Sequence, residues 1–107
     1  MDYKPSIEAI QAAANIRVVQ ASLKGDFPRP RGRSTAKSAA ISAATKVVIA
    51  VAQEMGYDPS DVRVATGLTV SKYWQHRQEV DRKAPHLQRI IDFVANDVWT
   101  YDPQVAL

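Results

Sequence analysis

Residues 58–78 read DPSDVRVATGLTVSKYWQHRQ and indicate two short helices separated by a glycine. Asp58 is a favoured N-cap and Pro59 suits the first helical position, so we predict a helix from Pro59 to about Thr66. Gly67 follows, and glycine adopts the positive φ of a tight turn without strain. The stretch therefore predicts a helix, a sharp turn and a second helix.

The second helix is predicted to run from Val70 to about Lys83, with Thr69 as its N-cap. Helical spacing gives it an apolar inner side, which consists of Val70, Tyr73, Val80 and Ala84. Trp74 lies at the margin of that side, as either a core anchor or a surface contact. In the first helix, the large cation of Arg63 is expected to extend outward to reach solvent.

The outer side of the second helix is polar and cationic. Its side chains are Ser71, Gln75, Gln78 and Arg82, and Lys72 and Glu79 flank them; His76 is expected at the helix surface or facing the groove. Side-chain amides pair with adenine edges, and Arg or Lys pairs with guanine. Two capped helices around a glycine turn are typical of a helix-turn-helix, whose second helix lies in the DNA major groove. We therefore predict that this helix contacts duplex DNA through Thr69, Ser71, Lys72, Gln75, His76, Gln78 and Arg82; the alternative is an ordinary solvated helix face.

A second cationic cluster lies at residues 24–37, which hold five basic residues and one acid in a chain of net charge +3. Within it, the two prolines and the glycine of residues 26–34 exclude a regular helix, so we predict a loop or arm there. Arginines at every second position of an extended chain project to one side, which suits a phosphate backbone or a minor groove. The predicted contacts are Arg29, Arg31, Arg33 and Lys37, together with Lys46 on the helix that follows. A solvated cationic loop is the alternative.

The rest of the chain also shows helical spacing, and no sustained apolar–polar alternation predicts a strand. We predict helices at residues 6–23, about 36–55 and 85–98; Asn15 either interrupts the first of these or lies within it. The expected fold is all-α, a compact bundle of about five helices that forms one domain over the whole chain. A loosely held tail is expected at residues 99–107.

Apolar residues at spacings of three and four predict the core faces of two helices. In the long helix they are Ile41, Ala44, Val48, Val51 and Met55, with Val47 and Ala50 widening the face. In the last helix they are Leu87, Ile90, Ile91, Val94 and Val98. The long helix has the wider apolar face, so we expect it to be central.

The absence of cysteine excludes disulfides, thiolate metal sites and cysteine nucleophiles, and it agrees with a reducing cytoplasm. The first residues lack the pattern of a signal peptide, and the longest apolar run is too short and too polar to cross a bilayer. His76 and His86 are ten residues apart, and no carboxylate is spaced to complete a metal site with them. We therefore expect no catalytic activity, no cofactor, no metal and no membrane contact.

Taken in order, the segments resemble the C-terminal, duplex-binding domain of the bacterial replication initiator DnaA, in the Trp-repressor-like superfamily. Residues 10–18 (IQAAANIRV) resemble its opening helices, residues 46–55 (KVVIAVAQEM) its long helix, and residues 58–78 its helix-turn-helix. The resemblance covers about residues 6–98, as a stand-alone domain. It implies a DNA-binding regulator of replication or transcription, in which an arginine of the basic loop enters the minor groove.

The chain departs from that family at the turn. Residues 66–73 read TGLTVSKY, whereas the family signature is roughly Gly-Gly-x-Asp-His-Ser/Thr-Thr-Val. The resemblance therefore implies the fold and not binding to the initiator's own nonamer boxes. Two alternatives stay open: a protein-binding regulator that docks on replication or transcription machinery, and a DNA-binding protein without sequence preference.

Replacing Arg31 with alanine is expected to weaken binding to all duplexes alike, because a phosphate contact carries no sequence information. The plot of log affinity against log salt concentration should flatten by about one, since one fewer counterion is released. Fluorescence anisotropy titrations at several salt concentrations measure both quantities. An unchanged affinity and an unchanged slope would place Arg31 outside the contact surface.

Overall fold

The computed structural model describes residues 5–25 and 36–101, and the side chains in these ranges except at 36–38 and 99–101. Within these ranges there are five α-helices and no strand: α1 Ile7–Leu23, α2 Ala36–Glu54, α3 Pro59–Thr66, α4 Val70–Asp81 and α5 Pro85–Tyr101. The helices pack as a compact bundle, which confirms the predicted all-α fold class. None of the described helices combines the length and the apolar character that a membrane span requires.

The first helix is continuous through Asn15, so it has no interruption there. Ser6 caps it, since Ser6 Oγ accepts a hydrogen bond from the Ala9 N–H at 3.1 Å. The helix ends at Leu23, and Gly25 follows with a φ of 74°. A single helix of this length packs along both α2 and α5.

The long helix α2 lies at the centre of the bundle and contacts the other four helices. Its residues 47–52 are all buried, so the helix is enclosed on every side there. Four of its buried residues are alanines, whose small side chains let the neighbouring helices approach closely: Ala43, Ala44, Ala50 and Ala52. The prediction that Ile41 is a core residue is wrong, since it is 59% exposed. It borders an open groove beside Thr45 and Thr66, where the surrounding helices leave it partly uncovered.

The last helix, α5, packs along α1 and α2. All five of its predicted core residues are buried. Arg17 on α1 forms an ion pair with Asp97 on α5, and its guanidinium carbon lies 4.5 Å from the centre of the Phe93 ring. Tyr57 donates a hydrogen bond to the Pro5 carbonyl at 2.6 Å, which joins the α2–α3 connection to the start of α1.

The substitution Ile49→Ala is expected to lower the free energy of unfolding by about 2–5 kcal/mol, because truncation of a fully buried side chain leaves a cavity. Ile41→Ala is the matched control on the same helix, and its exposed side chain should change stability by less than about 0.5 kcal/mol. Urea unfolding followed by circular dichroism measures both variants. Equal losses would contradict the central position of α2.

Candidate nucleic-acid interface

A left-handed turn joins α3 to α4. Gly67 has a φ of 71°, and the Leu68 N–H donates to the Arg63 carbonyl at 3.2 Å, as in a Schellman motif. Arg63 Nη1 also donates to the Leu68 carbonyl at 3.1 Å. The expected outward extension of Arg63 therefore does not occur, because its side chain folds back and links α3 to the turn.

Side-chain caps determine where α3 and α4 begin. Asp58 Oδ1 accepts a hydrogen bond from the Ser60 N–H at 2.8 Å, and Pro59 occupies the first turn of α3. Thr69 Oγ1 accepts one from the Lys72 N–H at 3.2 Å at the start of α4. Both predicted caps are confirmed. Thr69, predicted as a DNA contact, is exposed and also has this structural role.

The inner face of α4 consists of Tyr73, His76 and Val80, at spacings of three and four residues, and α4 packs on α2. Tyr73 is 3% exposed and His76 is 6% exposed. The prediction that His76 faces the surface is wrong, because this residue shares a helical face with Tyr73 and Val80. That spacing was the sequence signal for its burial. His76 Nδ1 is buried and has no hydrogen-bond partner among the described residues.

The outer face of α4 exposes four side chains at the predicted positions. They are Ser71, Gln75, Gln78 and Arg82, and we call them the α4 stripe. Lys72 is exposed on the flank of the stripe. Among the described residues, no hydrogen bond or ion pair engages a side chain of the stripe. These groups are therefore available to a partner.

Exposed apolar side chains border the α4 stripe. Trp74 is 47% exposed, and the Arg77 guanidinium carbon lies 5.0 Å from the centre of the Trp74 ring. Val70 and, on α3, Val64 are more than half exposed. Trp74 is thus a surface residue, and the prediction that Val70 is a core residue is wrong. The inner face of α4 is centred near Tyr73 and His76, so Val70 and Trp74 lie outside it and are directed toward solvent.

An ion pair between Lys46 of α2 and Glu79 joins the flank of α4 to the centre of the bundle. Their side chains are 19% and 34% exposed. The hydrogen bond from Lys46 is the main cause that lowers the pKa of Glu79. Lys46, predicted as a DNA contact, therefore has its ammonium group engaged with α4. Its basic character alone did not indicate this structural role.

The predicted DNA contacts at residues 29–37, which we call the basic segment, lie before α2 and in its first turn. The predicted contacts outside the described residues are Arg29, Arg31 and Arg33. Lys37 lies in the first turn of α2, and its side chain is outside the part of the chain that the structure describes. The first half of α2 runs beside the end of α3, where Thr45 shares a groove with Thr66. The described chain thus resumes, at Ala36, on the helix that borders the α3–α4 unit.

The exposed groups of α4 are suited to hydrogen bonding and to contact with phosphate. In the described ranges, no group of three or more His, Asp or Glu side chains is placed to hold a metal ion.

Comparison of the chain with protein-family models, curated proteins and solved structures found no significant match.

Acidification is expected to destabilise the protein through His76. Burial lowers the pKa of His76 below its ordinary value of 6.5, and the positive charges of Lys46 and Lys72 lower it further. The negative charge of Glu79 raises the pKa of His76, but this effect is smaller. The unfolded chain therefore takes up this proton first as the pH falls through about 6.5, and the free energy of unfolding decreases. His86 contributes in the same direction, since burial and Lys46 lower its pKa as well.

Urea unfolding at about pH 7.5 and pH 5.5 measures this decrease. The substitution His76→Gln should reduce the decrease, and His86→Gln should reduce it separately. Glu79 does not contribute in this range, because its pKa is lowered from 4.5 and it titrates at more acidic pH. Comparing the two pH values within each variant cancels any constant cost of the substitution. A His76→Gln variant with the pH dependence of the parent would contradict this prediction.

Proposed function

We propose that the chain binds double-stranded DNA through the α4 stripe and the basic segment 29–37, as a regulator of replication or transcription. The observation that carries the proposal is the exposure of two amides, a hydroxyl and a guanidinium on a helix whose opposite face is buried. α4 has 12 residues and is about 18 Å long, and the DNA major groove, about 12 Å wide, admits such a helix. In this proposal α3, the Gly67 turn and α4 act as a helix-turn-helix, as the resemblance to the DnaA domain implies.

The chemistry of the α4 stripe supports base recognition. Gln75 and Gln78 can each donate and accept a hydrogen bond at an adenine edge, and Arg82 can pair with guanine. Ser71 and Lys72 lie in the first turn of α4, where the positive end of the helix dipole favours a phosphate. The proposal therefore assigns the two glutamines to bases and the first turn to the DNA backbone.

The charges around α4 support contact with a polyanion. Residues 70–83 carry four basic side chains and two acidic ones. One of the acids, Glu79, is already paired with Lys46 of α2. The basic segment, which holds four of the ten remaining basic residues, leads directly into α2 beside the α3–α4 unit. Positive charge of this kind raises both the affinity and the association rate for DNA.

A second candidate function is binding to a protein of the replication or transcription machinery. Its support is the pair of exposed apolar side chains beside the α4 stripe, Val70 and Trp74, which lie four residues apart on α4. Trp is enriched at protein interfaces, and it often carries much of the binding energy there. This candidate requires a protein partner and no salt-dependent affinity for duplex DNA.

The substitution Gln75→Ala is expected to weaken binding to the preferred duplex by about 1–3 kcal/mol and to relax the preference at one base pair. The preferred duplex is first selected from a random pool, and anisotropy titrations then measure the affinity of each variant. Gln53→Ala is the matched control, since Gln53 is an exposed glutamine on α2 and outside the proposed surface. Its affinity should equal that of the parent.

Three outcomes of these measurements separate the candidate functions. Equal affinities of Gln75→Ala and Gln53→Ala would remove α4 from the DNA surface. Competition by random DNA as strong as by the selected duplex would show binding without sequence preference. A lack of duplex affinity at low salt would reject DNA binding and favour the protein-binding candidate.

A further inference from the structure

A cleft lies between the end of α1 and the beginning of α5. Its volume is about 290 Å³, near the lower end of the range for small-molecule sites. Residues of α1 and α5 form its walls, and no residue of α4 lines it. We call it the α1–α5 cleft.

The charged groups of the α1–α5 cleft are all basic. Lys24 and Arg89 line it as exposed side chains, and Arg17 is the third. None of the described residues that line the cleft is acidic. The ion pair with Asp97 offsets the charge of Arg17, so Lys24 and Arg89 contribute most of the net positive charge.

The position of the cleft at the start of α5 adds to this positive potential. Pro85, the first residue of this 17-residue helix, and His86 both line the cleft. The N-terminal end of a helix carries a partial positive charge and favours anions.

The wall between these basic groups is apolar. Ala21, Ile90 and Phe93 line it, and Phe93 is 45% exposed. The Arg17 guanidinium covers one side of the Phe93 ring at 4.5 Å, which fixes the ring in place. A concave site with an apolar wall and convergent charges of one sign suits a small ligand that has an apolar body and a charge of the opposite sign.

We propose that the α1–α5 cleft binds a small organic anion in which an apolar, preferably aromatic, body carries a phosphate or carboxylate group. The body lies against Ile90 and Phe93, and the anionic group lies between Lys24 and Arg89. This inference is separate from the DNA-binding proposal, because none of the described residues that line the cleft is a predicted DNA contact.

Three probes test separately whether the cleft binds the anionic group and the apolar body of the proposed ligand. Phenyl phosphate has both the apolar body and the anionic group, inorganic phosphate has only the anion, and benzyl alcohol has only the body. Titrations followed by NMR chemical shifts should show the tightest binding for phenyl phosphate, with shifts concentrated at Ala21, Ile90 and Phe93. Phenylacetate in place of phenyl phosphate distinguishes a carboxylate from a phosphate preference.

Charge-removing variants test the anionic part. Lys24→Gln and Arg89→Gln should each weaken phenyl phosphate binding by roughly three- to fivefold, as expected for exposed charge pairs. Lys83→Gln is the matched control for Lys24, because Lys83 is also an exposed lysine just after a helix but lies outside the cleft. Its affinity should equal that of the parent. Since these side chains are exposed, thermal unfolding should show all three variants folded.

The inference is overturned by any of four results. The first is binding of inorganic phosphate as tight as that of phenyl phosphate, which would leave no role for the apolar wall. The second is equal affinity of Lys24→Gln and Lys83→Gln for phenyl phosphate, and the third is a set of chemical-shift changes spread over the surface. Displacement of phenyl phosphate by duplex DNA would instead assign the cleft to the DNA backbone.

Discussion

The burial of α2 on every side is the constraint on which the rest of the structure depends. Six consecutive buried residues, 47–52, cover more than a full turn of helix, so partners must lie all around it. α1, α3, α4 and α5 supply those partners. Alanines at four buried positions of α2 keep the neighbours close, and the larger Val47, Ile49 and Val51 fill the space between them. The positions of α4 and of the α1–α5 cleft both follow from this arrangement.

The orientation of α4 depends on contacts of two kinds. Tyr73 and His76 are buried on its inner side, while the Lys46–Glu79 ion pair connects its flank to α2. At its start, the left-handed Gly67 and the Arg63 side chain determine how the chain leaves α3. The outer side is thereby directed away from the bundle. A helix held in this way presents its exposed groups in a defined geometry, which recognition of a rigid partner requires.

Most of the fold could be predicted from the sequence, because local chemistry marks the ends of the helices. Asp58, Thr69 and Gly67 are residues whose capping or turn preference acts within a few positions, and each has the predicted role. The exposed positions of the α4 stripe also followed from spacing alone. The DNA partner itself stays a proposal, as does the family resemblance.

The errors concern residues whose environment is set by distant parts of the chain. Ile41 and Val70 are apolar residues at helical spacing, but the packing of neighbouring helices leaves them uncovered. The ion pair between Lys46 and Glu79 was likewise not predictable, since only the bundle brings together two residues that lie 33 positions apart. His76 is different, since its spacing from Tyr73 and Val80 indicated burial and its polar side chain was given more weight. Pairings across the fold are not encoded in any single segment.

The division of labour between the two sides of α4 has an evolutionary consequence. The stability of α4 depends on its buried inner face and on the Thr69 cap. Ser71, Gln75 and Gln78, in contrast, have no hydrogen-bond partner among the described residues. Natural variation at these three positions can therefore accumulate at little cost in stability. A lineage of such proteins could diversify its targets while the helical framework stayed the same.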